Sequence, residues 1–204
     1  MFISVDGIDG GGKSTQIQRL AEWLRYQGRD VLILRDPGSS KLGEAVREIL
    51  LHREDVPLGS TSEMLLYMAA RAQMVEERIV PALANGTTVV CDRFLLANVV
   101  YQGWGGGLDP HEIWDVGHVA TKGLEPDITF LLDLPVDVAM TRIGAVQDRL
   151  EKRGEEYYAR VRAGFLQELG HASKQTFVID ASLDPDSVQH QLQTCLEPIL
   201  AQKV

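Results

Sequence analysis

VDGIDGGGKSTQ, residues Val5 to Gln16, sets three consecutive glycines and a lysine close behind an apolar run, Phe2 to Val5. Gly7, Gly12, Lys13 and Ser14 satisfy the spacing G-x-x-x-x-G-K-[S/T] of a phosphate-binding loop, a motif that belongs between a strand and a helix. Beyond it Ile17, Leu20, Ala21 and Leu24 recur at helical spacing, so both flanks are of the required kind. Glycines let the backbone curl until several N–H groups converge on one anion. Lys13 adds a charge for the β and γ phosphates of a nucleotide, and Ser14 adds a hydroxyl for Mg2+. Gly7, Asp9, Gly10, Gly11, Gly12, Lys13, Ser14 and Thr15 together form the expected cradle.

Further apolar runs lie at Val31 to Leu34, Thr87 to Cys91, Ile128 to Leu132 and Thr176 to Ile179, with helix-period segments between them. One such segment carries Leu65, Met68, Ala69 and Ala72. Parallel strands need a crossover at each return, so the alternation predicts a five-stranded parallel sheet with helices on both faces, a three-layer α/β/α fold. Sites in such sheets lie at the C-terminal ends of the strands. No repeat, low-complexity tract or linker divides the chain, so a single domain over residues 1–204 is expected.

With 45% apolar and 24% charged residues the chain can bury a substantial core. Its net charge of -9 argues against a nucleic-acid partner held by a basic face. Two cysteines, Cys91 and Cys195, are too few for a disulfide framework and fit a reducing, cytoplasmic setting. No apolar run approaches the roughly 20 residues that span a bilayer, so no membrane association is expected. The five histidines show no metal-ligand spacing, and the expected metal is the nucleotide's own Mg2+. Trp23 and Trp114 fall on helix-period segments and read as packing.

A phosphate loop alone does not separate a kinase from a switch GTPase or a motor, although no Asn-Lys-x-Asp stretch succeeds a strand as a GTPase requires. The residues at the strand ends are more distinctive. The second run ends in RDPGSS, the third in CDRF, and the helix between them carries LLYMAARAQ; VVYQG, PDITFLLDL and DRLE come after in order. At these residues the chain resembles thymidylate kinase, the P-loop family that moves the γ phosphate of ATP onto dTMP. The resemblance covers nearly the whole chain. It implies the P-loop NTPase version of the three-layer fold, ATP and Mg2+, a place in dTTP synthesis, and a homodimer.

Residue by residue, the resemblance implies that Asp9 binds the sugar 3'-OH of dTMP, that Arg71 hydrogen-bonds the thymine, and that Tyr67 stacks on the ring. Tyr67 also continues a core stripe with Met64 and Met68, and both readings stand. Asn98, Tyr101 and Gln102 lie where contacts to the substrate arise. Arg93 corresponds to the arginine that clamps the acceptor phosphate, and Asp92 to the aspartate that helps hold Mg2+ with Ser14. Arg35 and Arg47 are further candidates for the acceptor-phosphate side. A small-residue run, Gly103 to Gly107 around Trp104, reads as a flexible loop beside the site. VIDASLDPDS leads into the last helix, where family backbone borders the adenine.

Departures from the family pattern are Asp36 in place of glutamate, Phe94 in place of tyrosine or histidine, and Leu96 where aspartate is common. The lid, IGAVQDRLE with its surroundings at 143–153, is short. Family members with glycine at the position of Gly10 draw a catalytic arginine from the lid, which here offers Arg149, with the flanking Arg142 and Arg153 as open alternatives. Lys13, Asp92, Arg93 and Arg149 are thus the expected catalytic set. Two other functions fit the same residues: a kinase for another nucleotide or a deoxynucleoside, and a nucleotide-binding regulator without turnover, which the arginine-poor lid would suit.

Overall fold

The computed structural model describes residues 1–53, 55–142 and 154–201. Its centre is a sheet of five parallel strands: β1 Phe2–Asp6, β2 Val31–Arg35, β3 Thr88–Asp92, β4 Ile128–Asp133 and β5 Gln175–Asp180, in the order β2-β3-β1-β4-β5. All five apolar runs become strands, each reaching one residue further at its C-terminal end than the apolar pattern marks. The added residues are Asp6, Arg35, Asp92, Asp133 and Asp180, polar side chains at the C-terminal rim of the sheet, of which only Asp6 is fully buried. β1 and β3, covered on both faces, are continuously apolar but for Ser4, Asp6, Thr88 and Asp92, and almost all of their residues are buried. From β1 the chain moves past β3 to β2, then crosses β1 to build β4 and β5, so the end of β1 lies at the reversal where open α/β sheets place ligands.

Helices α1 Lys13–Tyr26, α2 Lys41–Leu51 and α3 Ser60–Met74 connect the first strands. α3 runs through a π-helical turn, Val75–Ile79, into α4 Val80–Ala84. After β3 come α5 Leu95–Asn98, a π-helical stretch Val99–Gly105, and α6 Pro110–Thr121, which Asp109 caps by accepting from the His111 N–H. α7 Val136–Arg142 follows β4, α8 Glu155–Glu168 precedes β5, and α9 Pro185–Ala201 ends the described chain. Among the described residues no helix is long and apolar enough to cross a membrane. Cys91 is buried and free.

Two sequence expectations need correction. Leu65 and Ala69, read as the apolar stripe of α3, face outward; the buried face carries Glu63, Met64, Tyr67, Met68, Ala70, Arg71 and Met74. A helix that presents polar groups to an internal cavity has its buried face rotated away from its most apolar one, which the periodicity rule does not see. Residues 103–105, read as part of a flexible loop, complete the π-helical stretch and are closely packed. A Cβ on Gly105 would lie 2.5 Å from Cε2 of Tyr157, and one on Gly164 the same distance from Cγ of Trp104, so the glycines there allow α8 to approach. Trp104 and Trp114 donate their indole N–H groups to the two oxygens of Glu168 at 3.1 and 3.0 Å.

Candidate active site

β1 ends in the loop that opens α1. Gly7 has φ +139°, and a Cβ there would stand 2.5 Å from the Leu132 carbonyl oxygen, so only glycine lets the loop start this close to β4. Gly12, with φ 78°, turns the chain into α1, whose first residue is Lys13. The Lys13 ammonium curls back over the loop and donates to the carbonyls of Gly7 and Ile8 at 3.0 and 2.8 Å, 3.9 Å from the Asp9 carboxylate. Burial, with Arg93 as a like charge, pulls its pKa down to about 8. A groove in front of it is lined by Gly10, Gly12, Lys13, Ser14, Thr15, Arg35 and Asp92. Ser14 Oγ donates to Asp92 Oδ2 at 3.5 Å, across from the end of β3. A hydroxyl and a carboxylate facing one another are hard oxygen donors of the kind Mg2+ takes beside phosphates.

A second cavity adjoins the groove, and Asp9, Asp36, Arg47 and Arg93 belong to both walls. Pro37, Leu51, Tyr67, Arg71, Ala97, Asn98, Tyr101 and Gln102 complete its lining. Arg93 stands between the two spaces. Its backbone adopts φ 68°, a left-handed conformation uncommon outside glycine, and its guanidinium pairs with Asp9 and lies 4.7 Å over the Tyr101 ring. Its Nη1 is buried and has no partner among the described residues. Asp9 also accepts from the hydroxyls of Tyr101 and Tyr158, at 3.0 and 3.1 Å. Burial pushes the Asp9 carboxyl up, but the charges of Arg93 and Lys13 and the two phenols more than reverse this, leaving it at about 2. Behind them Asp6 is fully buried, accepts from Ser4, and is pushed up by burial to about 6.

Deeper in the second cavity Arg71 is almost wholly enclosed. Nε donates to Asp36 at 2.6 Å, Nη1 to Asn98 Oδ1 at 2.9 Å and to the Met68 sulfur at 3.2 Å, and Nη2 to the Phe94 carbonyl at 3.4 Å. Asn98 Nδ2 in turn donates to Gln102 Oε1 at 2.6 Å, and Gln102 Nε2 to Glu63 at 3.0 Å. Tyr67 is buried in the α3 face and lines the cavity, so the core and stacking readings are compatible. Arg47 is half-buried and donates to the Pro37 carbonyl at 3.1 Å, whereas Arg35 is exposed and paired with Glu44 at 3.1 Å, at the outer edge of the groove. Arg142 donates to the Ala181 carbonyl at 3.0 Å, on the turn leading to α9. Arg149, Arg153 and the lid at 143–153 lie outside the described residues.

The sequence-named residues Asp9, Lys13, Ser14, Tyr67, Arg71, Asp92, Arg93, Asn98, Tyr101 and Gln102 thus converge on one rim. Gly7 and Gly11 shape the loop from outside the groove's lining. Sequence reading missed Tyr158, Asp36 as the partner of Arg71, and Glu63. Tyr158 is 149 residues from Asp9, and no local pattern links them.

Two adjoining compartments that share a cationic wall, one of them opening on a phosphate loop, are the plan of a P-loop kinase. The thymidylate kinase family model matches residues 5–192. A thymidylate kinase of Rhodopirellula baltica is 52% identical over 181 residues, 89% of this chain and 74% of that protein. One from Caldanaerobacter subterraneus subsp. tengcongensis is 42% identical over 200 residues, covering 98% of this chain and 96% of its own. The crystal structure of thymidylate kinase from Ehrlichia chaffeensis aligns with a TM-score of 0.77 at 32% identity, over 97% of this chain and 98% of that one. The chain belongs to the thymidylate kinase family.

Proposed function

We propose that this enzyme transfers the γ phosphate of ATP to dTMP, giving ADP and dTDP, with ATP in the groove at the phosphate loop and dTMP in the adjoining cavity. The observation that carries the assignment of the two compartments is Arg93, whose buried Nη1 lacks a partner among the described residues at the point where the two spaces meet. Lys13 and the loop N–H groups hold the β and γ phosphates, Arg93 holds the acceptor phosphate with Arg47 behind it, and Asp9 receives the sugar hydroxyl. Tyr67 stacks on the base while Arg71, Asn98 and Gln102 hydrogen-bond to it, and Tyr101 orients Asp9 and Arg93. Ser14 and Asp92 would hold Mg2+, which when bound neutralises charge between the phosphates.

Nothing in this reaction needs a general base, because the acceptor oxygen is already anionic. Repulsion between two anions and in-line placement are the obstacles, and fixed cations answer both. Arg149 supplies a further cation from the lid at 143–153, which belongs with the rest of the chain to a single domain. Free Cys91 and Cys195 suit a cytoplasmic enzyme of dTTP synthesis. Kinship with the thymidylate kinase family supports a homodimer. Steady-state kinetics with ATP, Mg2+ and a panel of dTMP, dUMP and dCMP test the assignment. Arg71 only donates, which suits the O4 acceptor of thymine and uracil and opposes the amino group of cytosine. The expected order is dTMP, then dUMP, then dCMP nearly inert. Equal turnover of dCMP and dTMP would remove Arg71 and the cavity from base recognition.

A further inference from the structure

Side-chain amides are ambiguous readers of a pyrimidine. Thymine presents an O4 acceptor beside an N3–H donor, cytosine an amino donor beside an N3 acceptor, and a carboxamide free to turn by 180° complements either one. Asn98 and Gln102 both line the cavity proposed for the base, so selectivity requires something that stops them turning. The buried polar chain supplies it. Arg71, at one end, has only donors, so Asn98 must face it with Oδ1 and face Gln102 with Nδ2. Gln102 must then receive that N–H with Oε1 and present Nε2 to the far end, where a carboxylate oxygen of Glu63 accepts it at 3.0 Å. Asn98, Gln102 and Glu63 are at most 4% exposed, so water offers no easy substitute partner.

We propose that Glu63 is a specificity-determining positioning residue: by closing this chain at its acceptor end it locks the Gln102 amide, and through it Asn98, in the orientation that reads thymine and rejects cytosine. The proposal rests on the assignment of this cavity to the base. Arg71 alone holds the direction from one side. With Glu63 removed, one orientation of Gln102 leaves Nε2 unpaired and the other leaves the bond to Asn98 unmade, so the preference between them shrinks. A base that needs the reversed amide then meets less resistance.

Glu63→Met keeps the side-chain length and removes the acceptor, while Glu63→Gln keeps an oxygen that can accept from Gln102. kcat/KM for dTMP and dCMP, KM for ATP and Tm are measured for both, for Gln102→Met, and for the double variant Glu63→Met with Gln102→Met. Loss of a buried hydrogen bond that leaves its donor unpaired sets the scale, so Glu63→Met should reduce the dTMP to dCMP ratio about tenfold or more, with KM for ATP unchanged. Glu63→Gln should stay within about threefold of the parent. Gln102→Met should reduce the ratio as well, and the double variant should resemble either single one, because both remove the same lock. Glu63→Met with the parental ratio and merely a lower Tm would overturn the proposal by making Glu63 structural only. So would additive effects in the double variant, and if Glu63→Met does not fold, a parental dTMP to dCMP ratio in Gln102→Met beside a raised KM for dTMP would overturn it instead. Failure of the underlying assignment looks different, since Gln102→Met and Arg71 variants would then both leave KM for dTMP unmoved.

Discussion

Asp9→Asn tests the electrostatics of the site through the stability of the fold. In the native protein the Asp9 carboxyl stands at about 2, against its ordinary value of 3.8, because Arg93, Lys13 and two tyrosine hydroxyls all favour its charged form over the opposing effect of burial. A depressed acid contributes stability that is present above the unfolded pKa and disappears as pH falls through the folded one. The difference corresponds to about 2 kcal/mol at pH 7, falling to about half of that near pH 3 and vanishing below pH 2. Asn has the same shape and no charge, so parent and variant should differ by at least about 2 kcal/mol in urea unfolding at pH 7. Asp6 and other acids titrate in both proteins and cancel in the comparison. Urea midpoints and slopes of the two proteins between pH 7 and pH 3 provide the measurement. A gap that is constant over that range, or smaller than about 0.5 kcal/mol at pH 7, would refute the account of Asp9 as a carboxylate held ionised by its cationic neighbours.

Lys13→Ala should lower kcat on the order of 100-fold while dTMP still binds, since Lys13 faces the groove on the far side of Arg93 from the base cavity; rapid-quench turnover and dTMP titration calorimetry separate the two effects. Arg71→Ala should lose stability as well as dTMP affinity, because the Asp36 carboxylate remains fully buried without its partner at a cost of about 3 to 5 kcal/mol. Replacing both as Arg71→Met with Asp36→Asn should restore Tm and leave dTMP binding impaired, and recovery of binding along with Tm would deny Arg71 a role toward the base.

Much of this protein is legible in the order of its residues. Phosphate binding at a strand–helix junction needs a contiguous cradle, so Gly7 to Ser14 disclose it by spacing, and five buried parallel strands disclose themselves as apolar runs because helices cover both faces. Asp92 and Arg93 are identifiable from their place at a strand end and from family resemblance. Partnership is another matter. The three groups besides Lys13 that set the charge of Asp9 are 84, 92 and 149 residues away, and no local pattern records a neighbour at that separation. Periodicity misplaces the face of α3 because a helix lining a polar cavity buries Glu63 and Arg71 while leaving Leu65 exposed, and only apolar residues enter the count. Gly103 and Gly105 suggest freedom when read along the chain, and become closely packed only when α6 meets the first with Ile113 and Pro110 and α8 meets the second with Tyr157. The direction of the Arg71–Asn98–Gln102–Glu63 chain depends on its ends. Arg71 can only donate, and Glu63 is reached across 39 residues, so folding alone decides which way the amides point.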